Sequence, residues 1–555
     1  MIDLKELPDD PVQLKQLIHA IQNQASAFEK ELQQKSELIK LLMEEKRLLR
    51  LELFGRSSEK THPDNNPDQP NLFDEIEEIH CFDSASENED SAGGESDNDA
   101  DDKDIQYIGP YKRIRPGSKK DAGAKFSPSM PRKDVVIDIP EEEKTCACGC
   151  KMEKIGEEVS EKAGYIPAQS FVERHIRPKY ACKSCEGAES EGIHPTVKIA
   201  APAPAILPKS NATAGLLAQI ITAKFEDALP LYRQEKIFAR HGLELSRSTM
   251  SRWAIKVYEK LMPFLEILYD EQRSGPLIGI DETTVQVLKE PERANTSKSY
   301  MWVTRGGPPG RSVIRFHYDP GRSGKVAKKL LEGFRGAVQS DGYAGYNFLD
   351  ERSDIQHAAC WAHVRRKFHK VAKASKKAVS VKNILGIIGR LYRIEKHARV
   401  NDLPPAAITE LRQRESKMIV DEFFKTIDAK ALQINPSGLM GKAIAYAMKM
   451  RKHLYVFLED GNIPIDNNLV ENNIRPFVVG RKNWLFSGSP NGAEASAGLY
   501  SLIETAKEAD LNPYWYLRYV FECLPVTPVE NYADLLPYAV TKETLAEYFK
   551  ELVRV

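Results

Sequence analysis

The stretch that decides the fold is LIGIDETTVQVL, at residues 277–288. A short apolar run leads into Asp281 and Glu282, and β-favouring residues then continue, so the stretch is predicted to form a buried strand. A carboxylate in a buried strand is costly to desolvate unless it is paired or binds a metal ion. The stretch therefore predicts a sheet that carries an acidic site.

A second acid follows the same pattern. GAVQSDGY, at residues 336–343, predicts a short apolar strand that ends in Asp341 and a glycine turn. A single acid at a strand end is more often a turn or cap residue. The prediction of a site therefore depends on the motifs that accompany Asp281 and Asp341.

A third acid is predicted to lie on a helix. DNNLVENNIRP, at residues 466–476, is predicted to be helical and to end before Pro476. On such a helix Asn467, Glu471 and Arg475 share one face. Two strand-borne aspartates and a helix-borne glutamate can bind two divalent ions, which suits in-line phosphoryl transfer.

The charge pattern divides the chain. The net charge of −1 hides an acidic segment, residues 61–105, with 16 acids and one lysine, which is predicted to be disordered. Residues 301–400 carry 21 Lys and Arg against 7 acids, which predicts a nucleic-acid surface, with a solvated helical face as the alternative. The basic tract at residues 107–135 suits either DNA contact or a flexible linker.

The sequence gives no indication of a membrane-spanning or secreted protein. No apolar run reaches the roughly 18–20 residues that cross a bilayer, and the N-terminus does not resemble a secretory signal. We therefore expect a cytoplasmic protein with no membrane partner.

Five of the eight cysteines lie within residues 146–185. In a chain without a signal peptide, such clustering favours a metal ion over disulfides. The motifs CACGC (146–150) and CKSC (182–185) predict a zinc ribbon with a structural Zn²⁺. The first motif offers three thiolates for two coordination positions on the zinc ion, so Cys150 is an alternative ligand to Cys146 or Cys148. The candidate ligands are Cys146, Cys148, Cys182 and Cys185.

Residues 11–54 are predicted to form one long helix. Apolar residues recur at alternating steps of four and three over nearly six heptads, which is the coiled-coil pattern. A helix that packs on its own domain is the alternative. We expect self-association through this helix.

A helix-turn-helix outline follows the cysteines. Residues 229–238 predict one helix, Gly242 a turn, and Ser246 the N-cap of a second helix. Any pair of antiparallel helices gives the same outline, so the pattern alone does not establish DNA binding.

Residues after Asp281 complete a predicted α/β layout. Strands are predicted around residues 300–304 and 312–317, then a helix at 323–334, and then the Asp341 strand. Three meandering strands, a helix and a fourth strand form the layout of the ribonuclease-H-like fold. That layout brings Asp281 and Asp341 side by side.

The segment after Asp341 is predicted to pass from strand to helix. HAACWAH, at residues 357–363, has tempting metal-ligand spacing but lacks a second ligand pair, so we interpret it as core. The basic residues 364–370 are expected to face DNA. Residues 380–458 are predicted to form an α-helical insertion.

Six ordered motifs carry a family resemblance. They are GIDET (279–283), QSDGY (339–343), ACWAHVRRKF (359–368), DNN to RP (466–476), GRKNWLF (480–486) and SLIETAK (501–507). This set resembles the transposase of the insertion sequence 66 (IS66) family, and the resemblance extends from the N-terminal helix to the C-terminus. The tract at 107–135 lacks the compact basic cluster that the family pattern would have.

The resemblance implies a DDE transposase. Asp281, Asp341 and Glu471 would be the acidic triad, binding two Mg²⁺ (or Mn²⁺) ions in a ribonuclease-H-like domain. One ion would activate water or a 3′-hydroxyl, and the other would stabilise the leaving oxygen. Glu504, on a helix starting near residue 491, is the alternative third acid, although an ion pair with Lys507 would also explain it.

The resemblance also implies DNA partners, a zinc finger, accessory proteins encoded by the same element, and association with the bacterial nucleoid. Cationic side chains and a stacking ring are the candidate DNA contacts. They are Arg365, Arg366, Lys367, Arg475, Arg481, Lys482 and Trp484.

The predicted fold class is multidomain α+β. Six segments are expected along the chain. They are a coiled coil (1–60), a linker that is acidic then basic (61–135), a zinc ribbon (136–200), a helix-turn-helix region (201–270), a ribonuclease-H-like catalytic domain (271–510) with a helical insertion at about 375–460, and a C-terminal helical tail (511–555).

Four functions fit these features to different degrees. An active DNA transposase explains all the motifs. A catalytically silent DNA-binding protein and a metal-dependent nuclease of the same fold are alternatives that assays can distinguish. A zinc-ribbon transcription regulator leaves residues 277–510 unexplained.

Overall fold

The structure, a computed structural model, describes most of the chain after residue 196 and two earlier segments. By its internal contacts the chain divides into two units, Ser86–Arg174 and the remainder. The elements below belong to the second unit. The acidic segment, the basic tract and the five clustered cysteines lie outside the described residues. The described segments are 11–54, 169–181, 197–374 and 379–550.

Among the described residues, seven strands form two sheets. A small antiparallel ribbon is formed by the first two strands, and the other five form the central mixed sheet. In chain order the strands are β1 Lys179–Ala181, β2 Val197–Ile199, β3 Leu277–Gln286, β4 Lys298–Gly306, β5 Val313–Asp319, β6 Gly336–Ser340 and β7 Ile355–Ala359.

Fifteen α-helices occur in the described residues. They are α1 Pro11–Phe54, α2 Ala214–Phe225, α3 Leu231–Arg240, α4 Arg247–Arg273, α5 Gly324–Leu330, α6 Trp361–Ala374, α7 Val379–Val400, α8 Pro405–Leu411, α9 Lys417–Ala431, α10 Leu439–Lys449, α11 Arg451–Tyr455, α12 Asn468–Trp484, α13 Pro490–Glu508, α14 Pro513–Cys523 and α15 Lys542–Tyr548. Within these described segments, no helix is both long and apolar enough to span a membrane.

The central sheet has the order β5-β4-β3-β6-β7. Strands β3, β4 and β5 form an antiparallel meander. Strand β3 also pairs in parallel with β6, which pairs in parallel with β7. Helix α5 makes the crossover that a parallel pair requires. The predicted succession of three strands, a helix and a fourth strand is confirmed.

Both faces of β3 are covered, which explains its nearly continuous apolar sequence. Ile278 and Ile280 pack with Trp302 and α5 on one face. Val285, on the other face, packs in a large cluster that also contains residues of α2, α4, α12, α13 and α14. Helices before and after the sheet in sequence therefore share one apolar core with it.

The segment predicted to be a helical insertion forms helices α7 to α11, and we call these helices the helical insertion. Its own apolar cluster includes Trp361, Phe423 and Phe457, and it continues onto the sheet through Ala358 of β7. A short π-helical segment, Arg412–Ser416, connects α8 to α9. The insertion thus packs against the β6–β7 edge of the sheet.

The prediction that a helix ends before Pro476 is wrong. Helix α12 continues through the proline to Trp484. A proline removes one backbone hydrogen bond, to the carbonyl four residues earlier. That residue, Asn472, is exposed, so water can satisfy its carbonyl, while Phe477 beyond the proline is fully buried. The buried face of α12 therefore outweighs the lost hydrogen bond.

The helices of the predicted helix-turn-helix region are present. Helix α3 ends near a turn in which Gly242 has a φ of +78°. The Ser246 hydroxyl accepts a hydrogen bond from Thr249 N, which confirms the predicted N-cap. Helix α4 then runs for 27 residues, well past the predicted second helix, and packs beneath the sheet.

Candidate functional site

The sheet register brings the two aspartates level. β3 and β6 pair Leu277 with Ala337 and Gly279 with Gln339. The same register extended by two residues places Asp341, just after β6, beside Asp281 in β3. The Asp281 Oδ1 atom accepts a hydrogen bond from Glu282 N at 2.8 Å.

The turn after β6 holds Asp341 in place. Its Oδ1 atom accepts from Tyr343 N at 2.8 Å, and its carbonyl accepts from the Tyr446 hydroxyl at 2.6 Å. Gly342 has a φ of +80°, and an added Cβ would lie 2.8 Å from Met450 Sδ. A glycine is therefore required where the helical insertion meets this turn.

Helix α12 brings Glu471 to the same place. The helix approaches β3 closely, because a Cβ on Gly279 would lie 2.5 Å from Val470 Cγ2 and 2.7 Å from Asn467 Oδ1. The Asn467 side chain also donates to the Ile280 carbonyl at 3.2 Å. Glu471, one turn into the helix, is 9% exposed.

The three acids act on one another electrostatically. Burial, then the charges of Glu282, Glu471 and Asp341, raise the pKa of Asp281 well above its ordinary value. Burial also raises the pKa of Glu471, although the Arg366 guanidinium opposes that rise. Buried carboxylates that repel one another need a cation nearby.

Three side chains from the start of α6 and the residue before it surround Glu471. Arg366 forms an ion pair with one Glu471 oxygen, and His363 Nδ1 lies 3.7 Å from the other. Cys360 Sγ accepts from Asn467 N at 3.2 Å, and its thiol can share a ligand cluster with His363 and Glu471. The predicted passage from strand to core helix is confirmed.

No sequence motif predicted that Cys360 and His363 lie beside Glu471. Their separation of three residues at the start of a helix was the available signal, because such residues share a face. Nothing in the sequence indicates that the face meets Glu471. That contact depends on how α6 and α12 pack.

Glu504 has a different environment. It is 4% exposed on α13, and its carboxylate lies 3.1 Å from Lys507 Nζ. Burial raises its pKa to about 7, against the opposing effect of Lys507, and the other charges that act on it most strongly are Glu226 and Glu508. The predicted ion pair with Lys507 is therefore present.

Glu282, next to Asp281, faces the opposite side of the sheet. Its carboxylate accepts from Arg322 Nε at 2.6 Å and from the Tyr346 hydroxyl. The Arg322 guanidinium stacks 4.0 Å from the centre of the Tyr343 ring. Two adjacent acids thus have separate roles, since alternate strand residues face opposite sides.

The predicted DNA contacts lie in varied surroundings. Arg481 donates to the Thr284 hydroxyl at 3.1 Å, and Trp484 packs edge-on against Phe477. Lys482 is exposed, and Lys367 is exposed with its ammonium 4.4 Å from the Tyr446 ring centre. Arg365 is half-buried on α6.

A groove of about 1210 Å³ opens beside the acids, between the sheet, α7 and the start of α12. Its lining includes Gly279 and Asn467 but not the three acidic side chains. Acidic Glu395, Asp402 and Asp466 line it as well as cations. We call it the basic groove after its cations, which are Arg305, Lys396, Arg399, Arg412 and Arg475.

Comparison with known proteins gives consistent matches along the chain. Residues 209–495 match the family described as "Transposase IS66 family". Residues 143–186 match the "zinc-finger binding domain of transposase IS66", and residues 501–538 match the "IS66 C-terminal element". The zinc-finger match contains all five clustered cysteines and supports a structural zinc ion.

Several proteins of Sinorhizobium fredii (strain NBRC 101917 / NGR234) are similar. The uncharacterized protein y4jD is 32% identical over 454 residues, which cover 78% of this chain and 85% of that protein. The uncharacterized protein y4qI is 33% identical over 430 residues, covering 74% and 76% respectively. The family match covers more than half of the chain, and these relatives match over most of their length. The chain belongs to the IS66 family of transposases.

Proposed function

We propose that the protein is a DDE-type transposase that cleaves element ends and joins their 3′-hydroxyls to target DNA. Asp281, Asp341 and Glu471 are the proposed triad. The observation that carries the proposal is the β3–β6 register, which sets the two aspartates level, together with the close approach of α12 to β3 at Gly279.

The sheet supports a ribonuclease-H-like catalytic domain. An antiparallel meander followed by two parallel strands, in the order β5-β4-β3-β6-β7, has the layout expected of that fold. The helical insertion separates β7 from α12 in sequence, while the packing returns α12 to the centre of the sheet. Residues 271–510, with the insertion at about 375–460, remain our proposed catalytic domain.

The acidic site suits Mg²⁺ or Mn²⁺. Its donors are carboxylate oxygens, which hard divalent ions prefer. The Glu471 Oε1 atom is buried without a hydrogen-bond partner, and burial with mutual repulsion disfavours ionised Asp281 in the absence of a cation. Two divalent ions bound there would supply a nucleophile and stabilise the charge on the leaving oxygen.

The chain's own side chains prepare this site. Arg366 holds the Glu471 carboxylate by an ion pair, and Asn467 fixes the start of α12 to the β3 backbone. The exposed cations of the basic groove, Lys396 and Arg399, can bind phosphates of DNA that passes beside the acids. Arg366 is engaged in the ion pair with Glu471. The other proposed DNA contacts remain Arg365, Lys367, Arg475, Arg481, Lys482 and Trp484.

Other parts of the chain have proposed roles in assembly. On α1, Phe28, Leu32, Ile39 and Leu42 are each more than half exposed. Exposed apolar side chains at heptad spacing suit a coiled coil between copies of the chain. Cys146 and Cys148 (with Cys150 as the alternative) are proposed to bind zinc with Cys182 and Cys185, and accessory proteins of the element are proposed partners.

The test is metal-dependent cleavage and joining of labelled element-end DNA, with the element's other proteins supplied. Asp281→Asn, Asp341→Asn and Glu471→Gln should abolish both reactions and retain DNA binding. Glu504→Gln, which removes a buried carboxylate outside the triad, should keep them. Activity that survives Glu471→Gln but not Glu504→Gln would identify Glu504, and not Glu471, as the third acid. Cleavage without joining would indicate a nuclease, and binding without cleavage a silent DNA-binding protein.

A further inference from the structure

A second group of metal-ligand side chains lies where the helical insertion meets the sheet. His357 is on β7, Asp350 is in the 3-10 segment Ala344–Glu351, and His453 is on α11. None of these three residues belongs to the proposed acidic triad or to the cysteine motifs. They come from three elements that no local sequence motif connects.

The three side chains converge on a small volume. Asp350 Oδ1 lies 2.6 Å from His453 Nε2 and 3.4 Å from His357 Nδ1, and all the potential ligand atoms lie within 4.8 Å of one another. In a tetrahedral zinc site, Zn–N bonds of about 2.0–2.1 Å put ligand atoms roughly 3.4 Å apart. Small side-chain rotations therefore suffice to bind an ion.

His357 is oriented as a metal ligand would be. Its Nε2 atom hydrogen-bonds the Ser340 hydroxyl at 2.9 Å, so its Nδ1 atom points at the cluster. The His357 side chain is 4% exposed, and Nδ1 is buried without a hydrogen-bond partner. Metal-binding histidines commonly have their second ring nitrogen fixed by such a partner.

The protonation states agree with this geometry. Burial, then His453, lower the pKa of His357 to about 4, so its imidazole is neutral at neutral pH. Burial would raise the pKa of Asp350, but the hydrogen bond and charge of His453, followed by the charge of His357, lower it below its ordinary value. Neutral imidazole and ionised carboxylate are the forms that bind metal.

We propose that His357, His453 and Asp350 bind one transition-metal ion, with Zn²⁺ the best match. Two imidazoles favour zinc over the Mg²⁺ that an all-oxygen site prefers. Asp350 is 37% exposed, which leaves a coordination position open to water. The ion cross-links α11 of the insertion to β7, beside Ser340 and the adjoining Asp341.

The test compares metal stoichiometry in the full-length protein. Zn²⁺ and Co²⁺ are titrated into the parent, His453→Gln, Asp350→Asn and, as a matched control, His241→Gln, with Mg²⁺ in excess. His241 is exposed in the turn after α3. Cobalt bound to thiolates gives a charge-transfer band that a site of two histidines and an aspartate lacks.

The parent and His241→Gln should bind one more equivalent of metal than His453→Gln or Asp350→Asn. The thiolate–cobalt band should be the same in all four proteins. Zinc should also raise the apparent Tm of the parent more than that of His453→Gln. Equal stoichiometry in the parent and both ligand variants would overturn the proposal and leave these residues as a hydrogen-bonded network.

Discussion

Arg366 and Glu471, 105 positions apart in the chain, form an ion pair that joins α6 to the first turns of α12. The pair is largely buried, with the two side chains 18% and 6% exposed. It places a fixed cation beside the proposed third acid. A buried carboxylate among other acids keeps its position and charge more readily with such a partner.

Arg366→Ala should slow metal-dependent cleavage by about tenfold or more, equivalent to at least ~1.4 kcal/mol. The reason is that Glu471 loses the charge that opposes the rise in its pKa. The measurement is the cleavage rate at saturating DNA. Lys370→Ala, an exposed cation on the same helix, is the control and should change DNA affinity alone. A parental rate in Arg366→Ala would contradict this role.

Gly279→Ala should both destabilise the protein and reduce cleavage. The new methyl group would meet Val470 and Asn467, and forcing α12 away from β3 costs roughly 1–3 kcal/mol. Adding Val470→Ala should recover part of the stability. The measurements are apparent Tm and cleavage rate.

Gly389→Ala is the matched control for that change. A Cβ there meets nothing within 4 Å inside α7, and alanine favours a helix over glycine by roughly 0.5–1 kcal/mol. Gly389→Ala should therefore be neutral or stabilising. If both glycine variants behaved alike, the close approach at Gly279 would not matter.

Glu504→Gln should stabilise the protein at pH 8 relative to the parent and change little at pH 5. The folded pKa of Glu504 is about 7 and its ordinary value is 4.5, so the folded state binds the proton more tightly. Stability from that proton is complete below pH 4.5 and is lost as the pH rises through 7.

The effect on the free energy of unfolding is at most about 3–4 kcal/mol, because each unit of difference in pKa corresponds to about 1.4 kcal/mol. The measurement is apparent Tm from pH 5 to 8. Glu494→Gln, an exposed glutamate on the same helix, should show no such trend. A constant difference between Glu504→Gln and the parent would show that Glu504 is ionised throughout.

Arg412→Leu should destabilise the protein by about 3–5 kcal/mol, as removal of one partner of a buried ion pair does. Arg412 is 2% exposed, lies 2.7 Å from Glu395, and donates to three carbonyls before α12, of which Phe457 O is 2.7 Å away. Denaturant unfolding measures the loss.

Arg414→Leu is the control for that experiment, because Arg414 is 69% exposed and pairs with its half-buried neighbour Glu415. Its cost should stay within about 0.5 kcal/mol. Adding Glu395→Gln to Arg412→Leu should recover part of the lost stability. Equal effects of the two arginine variants would contradict an anchoring role for Arg412.

Much of the sheet could be predicted because its signals are local. The apolar run before Asp281, the alternation in β4 and β5, and the Ser246 cap are each encoded within a few residues. The family motifs then connected these elements to a transposase. The end of α12 was predicted wrongly because Pro476 was weighed by its local preference, whereas buried Phe477 decided the outcome.

By itself the sequence determined which segments become strands and helices, which acids are candidates, and which family the chain resembles. The tertiary structure decided which distant side chains meet: Arg366 with Glu471, and His357 with Asp350 and His453. The physical reason is the separation along the chain over which each kind of interaction acts. Backbone preference and apolar periodicity act over a few residues, whereas the contacts of Glu471 and His357 depend on how elements up to about a hundred positions apart pack together.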